Sequence, residues 1–273
     1  MSQAGERPLG NNLLLAYSKP RARENEQEFN DFFDYFYTQC MLDVAGIRTA
    51  TRYRLSHQQM EWILPASREP LWPFGQEHTY LTVYEVDPSV GAEALFDAMH
   101  ASPAFSMLRN PDDVPVVWGA QWLFEPITRR ELSARLKPSE NGQELKPTHI
   151  WVVPNTPRSK EVESANNHFY TTQSNLQYTG FLSVTRYRLA SLQRPDMTTN
   201  SAPPDPWPHG RHSQLALWEL YDLAKAMHHR RSANEAGASF PRYSWMPPIR
   251  DLRSADDHVI YEAITSRVEP IFR

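Results

Sequence analysis

The amino-acid sequence predicts an α+β protein in which two copies of one βαββαβ unit fold together into a single barrel. Three observations predict it. The pentapeptide Thr51-Arg52-Tyr53-Arg54-Leu55 returns unchanged as Thr185-Arg186-Tyr187-Arg188-Leu189, a shift of 134 positions. Other short matches keep that order and shift: Gly46 with Gly180, Tyr37-Thr38-Gln39 with Thr171-Thr172-Gln173, and residues 81–86 with 215–220. Within each copy the apolar pattern changes from strand-like to helical spacing and back, as a repeated supersecondary unit requires.

The first strand is the apolar run Leu13-Leu14-Leu15, answered in the second copy by Ile150 to Val153, and a proline follows each, Pro20 and Pro157. A helix comes next, with Phe29, Phe32, Phe33, Phe36, Cys40 and Val44 at spacings of three and four. Residues 47–55 alternate and are rich in β-branched and aromatic side chains, as a half-buried strand is. Residues 81–86 form the third strand. A second helix starts near Val90 and sets Ala92, Leu95, Phe96 and Met99 on one side; its Ala98-Met99-His100 is matched by Ala226-Met227-His228. The last strand is 116–124, and the Glu125-Pro126-Ile127 that follows is matched by Glu269-Pro270-Ile271. This order is the split βαβ, or ferredoxin-like, unit.

The expected division is therefore a first repeat over 1–127, a polar linker over 128–148 containing Asn141-Gly142, and a second repeat over 149–273. A four-stranded sheet with both helices on one face leaves its other face bare, and the second copy is the nearest cover for it. The alternative is two independent domains, each pairing with another molecule.

Composition narrows the function. A hydrophobic content of 40% supports a substantial core, and a formal charge of −4 with pI near 6.2 gives no basic field for nucleic acid or an anionic membrane. One cysteine, Cys40, excludes an internal disulfide framework, and no segment has the ~20 apolar residues that span a bilayer. The expectation is a soluble, cytoplasmic protein. Phosphate loops, His-Glu-x-x-His, Gly-x-Ser-x-Gly and Cys-x-x-Cys are missing, so no metal site and no cofactor is expected.

Chemistry must then rest on scattered polar groups. The first helix of copy one is aromatic, but the same positions in copy two include Glu163, Asn166, Asn167 and Tyr170. That change points either to a polar pocket holding Asn167 and Thr171, with Tyr37 as the counterpart of Thr171, or to a helix turned towards water. His168 on this helix is the candidate general acid or base, because imidazole titrates near neutral pH. On the repeated strand, Arg52 and Arg54 face one way and Tyr53 the other. Arg52 and Arg186 either pair across the sheet with Glu85 and Glu219 or bind a substrate anion, with Tyr53 and Tyr187 donating hydrogen bonds. The long loops 56–79 and 190–213 each carry Trp-Pro, and Trp72, Phe74, His78 and Trp207 are placed either to close on an aromatic ligand or to strap the sheet edges.

The order of strand, proline, acidic aromatic helix, glycine, Arg-Tyr-Arg-Leu strand and Tyr-Glu-Val strand resembles the dimeric α+β barrel superfamily, and its EthD-like branch in particular. The resemblance covers nearly the whole chain, once per half. It implies a barrel that other members build from two chains, here fused into a monomer, with a homodimer left open. Members include polyketide cyclases, cofactor-free oxygenases, decarboxylases, haem-handling enzymes and stress proteins. One departure is clear: where the EthD-like pattern has a helix histidine with a proline two residues on, this chain has Tyr37 and Gln39, and Thr171 and Gln173. The resemblance implies a small-molecule enzyme acting on an aromatic or polyketide-like substrate by cofactor-independent acid/base chemistry (cyclisation, decarboxylation or a lyase reaction). A non-catalytic small-molecule-binding or stress-response protein is the alternative, and a haem- or flavin-dependent oxygenase the second.

Overall fold

A computed structural model describes residues 9–22, 25–56, 79–108, 114–136, 145–157, 159–172, 175–193, 213–235 and 259–270. The strands are β1 (Asn12–Pro20), β2 (Ile47–Leu55), β3 (Tyr80–Val86), β4 (Val116–Pro126), β5 (Glu131–Leu132), β6 (His149–Asn155), β7 (Phe181–Leu189), β8 (Gln214–Leu220) and β9 (Val259–Ala263). The helices are α1 (Glu26–Phe32), continued through a π-helical turn (Phe33–Tyr37) into α2 (Thr38–Leu42), then α3 (Ala92–Ala101), α4 (Pro103–Leu108), α5 (Lys160–Thr172) and α6 (Leu223–Glu235). Among the described residues, no helix is long and apolar enough to cross a membrane.

Eight antiparallel strands close into a barrel in the order β4-β1-β3-β2-β9-β6-β8-β7, with β7 pairing back to β4 and the short β5 adding outside β7. The order β4-β1-β3-β2 in one half recurs as β9-β6-β8-β7 in the other. Even the irregularities recur: the β2–β3 register slips between Ile47 and Thr49, and the β7–β8 register slips between Phe181 and Ser183. The two seams match as well, Leu55 facing Tyr261 and Leu189 facing Phe124.

Alternation along the strands sorts the side chains into three cores. Leu13, Leu15 and Tyr17 of β1 point into the barrel, where Tyr53, Leu81, Trp122, Val152, Leu215 and Tyr261 meet them. Leu14 and Ala16 point outward to the first helices, and Trp151, Val153, Val184 and Trp218 do the same in the second half. A strand covered on both faces needs no polar side, which is why Leu13-Leu14-Leu15 reads as an unbroken apolar run.

The first helix buries Phe29, Phe33 and Val44 of the predicted stripe but departs from it elsewhere. Phe29, Phe33, Tyr37 and Met41 are buried, whereas Phe36 is 41% exposed and Phe32 and Cys40 are half-buried. Those four positions lie four apart, and an ordinary α-helix would rotate each about 40° past the one before. The π turn over Phe33–Tyr37 is wider, absorbs that drift, and keeps one face on the sheet. Tyr37 consequently packs tilted against Trp118, ring centroids 4.6 Å apart, and Phe29 against Phe33 at 4.9 Å.

The segments after β4 and β9 cross to the opposite half. Thr128 Oγ1 accepts from the Arg186 amide at 3.0 Å, and Thr265 Oγ1 accepts from the Arg52 amide at 3.0 Å. The structural equivalent of Glu125-Pro126-Ile127 is therefore Glu262-Ala263-Ile264, not Glu269-Pro270-Ile271, because seam register rather than residue identity sets the correspondence. Within the expected linker, Glu131–Leu132 is a strand on β7.

Candidate functional site

A cavity of about 930 Å³ occupies one end of the barrel. Its apolar walls include Leu13, Val83, Ile150 and Leu217, and its polar groups come in equivalent pairs: Thr51 and Thr185, Tyr53 and Tyr187, Glu85 and Glu219. The pairing follows from the repeated strand. Residues 51, 53 and 55 share the inward face of β2, as 185, 187 and 189 share that of β7, so each copy delivers the same hydroxyls to opposite walls.

Both phenols stay protonated. Burial raises the pKa of Tyr53 and of Tyr187 well above the ordinary tyrosine value, and the charges of Glu85 and Glu219 raise both further. The hydroxyl of the threonine two residues before each phenol, Thr51 or Thr185, offsets part of that rise. The carboxylates are held from several sides. Asn11 Nδ2 donates to Glu85 at 2.6 Å and Arg267 Nη2 donates at 2.7 Å. Glu219 accepts from Arg130 through Nε at 2.7 Å and Nη2 at 2.6 Å, and from Ser183 Oγ. His149 also lines the cavity; burial lowers its pKa against the pull of Glu262, and its Nδ1 lies 3.0 Å from Thr148 Oγ1.

The expected pairing of Arg52 with Glu85 and Arg186 with Glu219 does not form. Arg52 sits opposite Thr82 and Glu85 opposite Thr49, so the arginine and the glutamate leave the sheet on opposite faces. Arg52 instead lies beneath the first helices. It bonds Asp34 and Asn30 Oδ1 (2.9 Å to the latter), with its guanidinium 4.6 Å from the Phe33 ring centroid. Burial lowers its pKa, and Asp34 opposes the change. Arg186, fully buried, donates to Asn155 Oδ1 at 2.8 Å, Gln214 Oε1 at 2.5 Å and Asn167 Oδ1, and burial brings its pKa down to about 10. Neither arginine lines the cavity.

The polar face of α5 is thereby explained without a pocket. Asn167 solvates a buried guanidinium, and Tyr170 lies 5.2 Å from it. The second half shows that three amide oxygens suffice to keep such a cation buried. Asp34→Asn is therefore expected to destabilise the fold by only about 1 kcal/mol, measured by denaturant unfolding.

The remaining predicted positions are dispersed. His168 is exposed on α5 and does not line the cavity. Tyr37 is buried in the core between helix and sheet, and Thr171 lies in the last turn of α5. Trp72, His78 and Trp207 lie outside the described residues. Sequence reasoning passed over Arg130, Arg267 and His149 and set the glutamates on the same face as Arg52 and Arg186. A signal existed: Ile127-Thr128-Arg129-Arg130 and Ile264-Thr265-Ser266-Arg267 match at a shift of 137. Among the described residues, no group of three or more His, Cys, Asp or Glu is placed to hold a metal ion.

Neither family models nor curated proteins match the sequence. Solved structures do. An anthrone oxidase-like protein aligns over 95% of this chain and 93% of its own at 11% identity, TM-score 0.53. A protein from Fusobacterium nucleatum subsp. nucleatum, titled "putative monooxygenase", aligns over 95% of both chains at 8% identity, TM-score 0.50. A variant of DypB from Rhodococcus jostii RHA1 in complex with haem covers 97% of this chain and 94% of its own at 9% identity, TM-score 0.48. The first two likenesses show a shared fold, the α+β barrel.

Proposed function

We propose that the chain is a small-molecule enzyme that moves protons on an aromatic or polyketide-like carbonyl substrate inside the barrel, leading to cyclisation, decarboxylation or a lyase reaction. The observation that carries this is the pairing of two protonated phenols with two carboxylates in one apolar-walled cavity. Tyr53 and Tyr187 donate to the substrate carbonyl oxygen. Glu85 or Glu219 takes a proton from the adjacent carbon, and the C–H electron pair passes to the carbonyl, giving an enolate that the phenols stabilise. The enolate carbon attacks a second carbonyl, whose new alkoxide takes the proton from the carboxylic acid, or is itself reprotonated by that acid; either path returns the carboxylate. His168 has no part in this, and the acid/base role passes to the groups in the cavity.

The same reading takes the two halves, 1–127 and 149–273 about the connection 128–148, as fused ferredoxin-like repeats of an EthD-like ancestor. The recurrent strand order, register slips and seams support it.

The activity is tested with 2-tetralone in D2O. Wild-type protein is expected to speed loss of the ketone's α-proton NMR signals over buffer, and Tyr53→Phe with Tyr187→Phe to slow it by about 100- to 1,000-fold. Exchange no faster than in buffer alone would sink the proposal. A haem- or flavin-dependent oxygenase is the second reading, favoured by one imidazole, His149, on the cavity wall; a visible absorption band in purified protein would support it.

A further inference from the structure

Glu85 and Glu219 are each gripped by a segment that leaves the other half of the molecule. Arg130 follows β4 of the first half yet holds Glu219 on β8, while Arg267 follows β9 of the second half and holds Glu85 on β3. The crossing is built in. Thr128 and Thr265, each two residues before the arginine, anchor the same segments on the backbone of Arg186 and Arg52. Both ion pairs border the cavity, and the charge of Arg267 acts on Tyr53 as that of Arg130 acts on Tyr187.

We infer that Arg130 and Arg267 are positioning residues: each reaches across a seam to aim a glutamate at the cavity, so that neither half carries a complete acid/base unit alone. The inference deepens the proposed function and rests on it for the chemistry, while the crossed pairing itself stands on geometry. Each arginine fixes one face of its carboxylate. Glu219, with three donors, and Glu85, with two, keep an oxygen lone pair directed away from the grip.

Two measurements on the full chain separate the crossing from the chemistry. The first is a double-mutant cycle of unfolding midpoints. Arg267→Met is expected to couple with Glu85→Gln and not with Glu219→Gln; equal coupling to both, or to neither, would overturn the crossed assignment whatever the protein catalyses. The second uses a Glu219→Gln parent, so that only Glu85 works, with 2-tetralone exchange as the readout. There Arg267→Met is expected to slow exchange by about 100-fold, the scale of a misplaced reacting group, with Arg267→Lys recovering part of it. Exchanging the charges, Arg267→Glu with Glu85→Arg, is expected to restore the melting temperature but not the rate. Restoration of both would reduce Arg267 to a latch and overturn the positioning role. A wild-type protein that fails to exchange the ketone removes the acid/base reading, and the unfolding cycle still decides the crossing.

Discussion

Gly180→Ala is expected to prevent the second half from folding, whereas Gly46→Ala gives a folded, moderately destabilised protein. Both glycines precede the repeated strand and both adopt positive φ, +96° and +97°. That conformation alone costs a side chain about 1–2 kcal/mol. The surroundings then differ. A Cβ on Gly46 would meet the Val90 side chain at 3.0–3.1 Å, and a valine at the end of a loop can yield by a few tenths of an ångström. A Cβ on Gly180 would meet the Ala226 amide nitrogen at 2.4 Å and the Asp222 carbonyl oxygen at 2.5 Å, both in the first turn region of α6. Backbone at that distance moves only if α6 moves. Its buried Leu223 and Ala226 would leave a core that includes Trp218 and Phe181. The expected loss is more than ~3 kcal/mol, the range of a large core deletion. Expression yield and denaturant midpoint measure it, and equal behaviour of the two variants would show the close approach to be unimportant.

Removing the carboxylates of Glu85 and Glu219 is expected to abolish catalysis while leaving the barrel intact. Glu85→Gln with Glu219→Gln keeps size and an acceptor oxygen for Arg267, Arg130, Asn11 and Ser183, so the mouth holds its shape. What is lost is the base, a contribution of about 100- to 10,000-fold in rate. Because the two sides are equivalent, either single replacement is expected to halve the exchange rate at most. A double variant retaining wild-type exchange would show that these carboxylates are not the base.

The repeat was readable because it preserves residues whose backbone or facing is constrained. Gly46 and Gly180 recur because the chain turns there through positive φ, and Arg-Tyr-Arg recurs because one side chain faces the barrel and two face the helices. The barrel was readable for the same reason: an unbroken Leu13-Leu14-Leu15 has to be covered twice. The partners of Arg52 and Glu85 were harder to read. Charge alone suggests that they pair, and only the hairpin register, Arg52 against Thr82 and Glu85 against Thr49, puts them on opposite faces. The polar α5 misled in a similar way, since a helix that solvates a buried cation and one that lines a pocket have the same composition. Tyr37, placed by the missing family histidine, proved to be core because a π turn rephased the helix, and no local propensity announces such a turn.

The two seams that close the barrel differ in the chain length they enclose. The β4–β7 seam joins Phe124 to Leu189, whereas the β2–β9 seam joins Tyr53 to Ala263. Bringing the second pair together closes a loop about three times longer, which costs about 1 kcal/mol more in chain entropy. Assembly therefore has a preferred sequence: the halves meet first along β4–β7, and the ring is completed when the carboxy-terminal segment zips onto β2. Ala50 and Val268, which exchange amide hydrogen bonds at 2.9 and 2.8 Å, belong to that last closure. The segment that completes this closure carries Arg267 and its grip on Glu85, so closing the ring also completes one wall of the cavity.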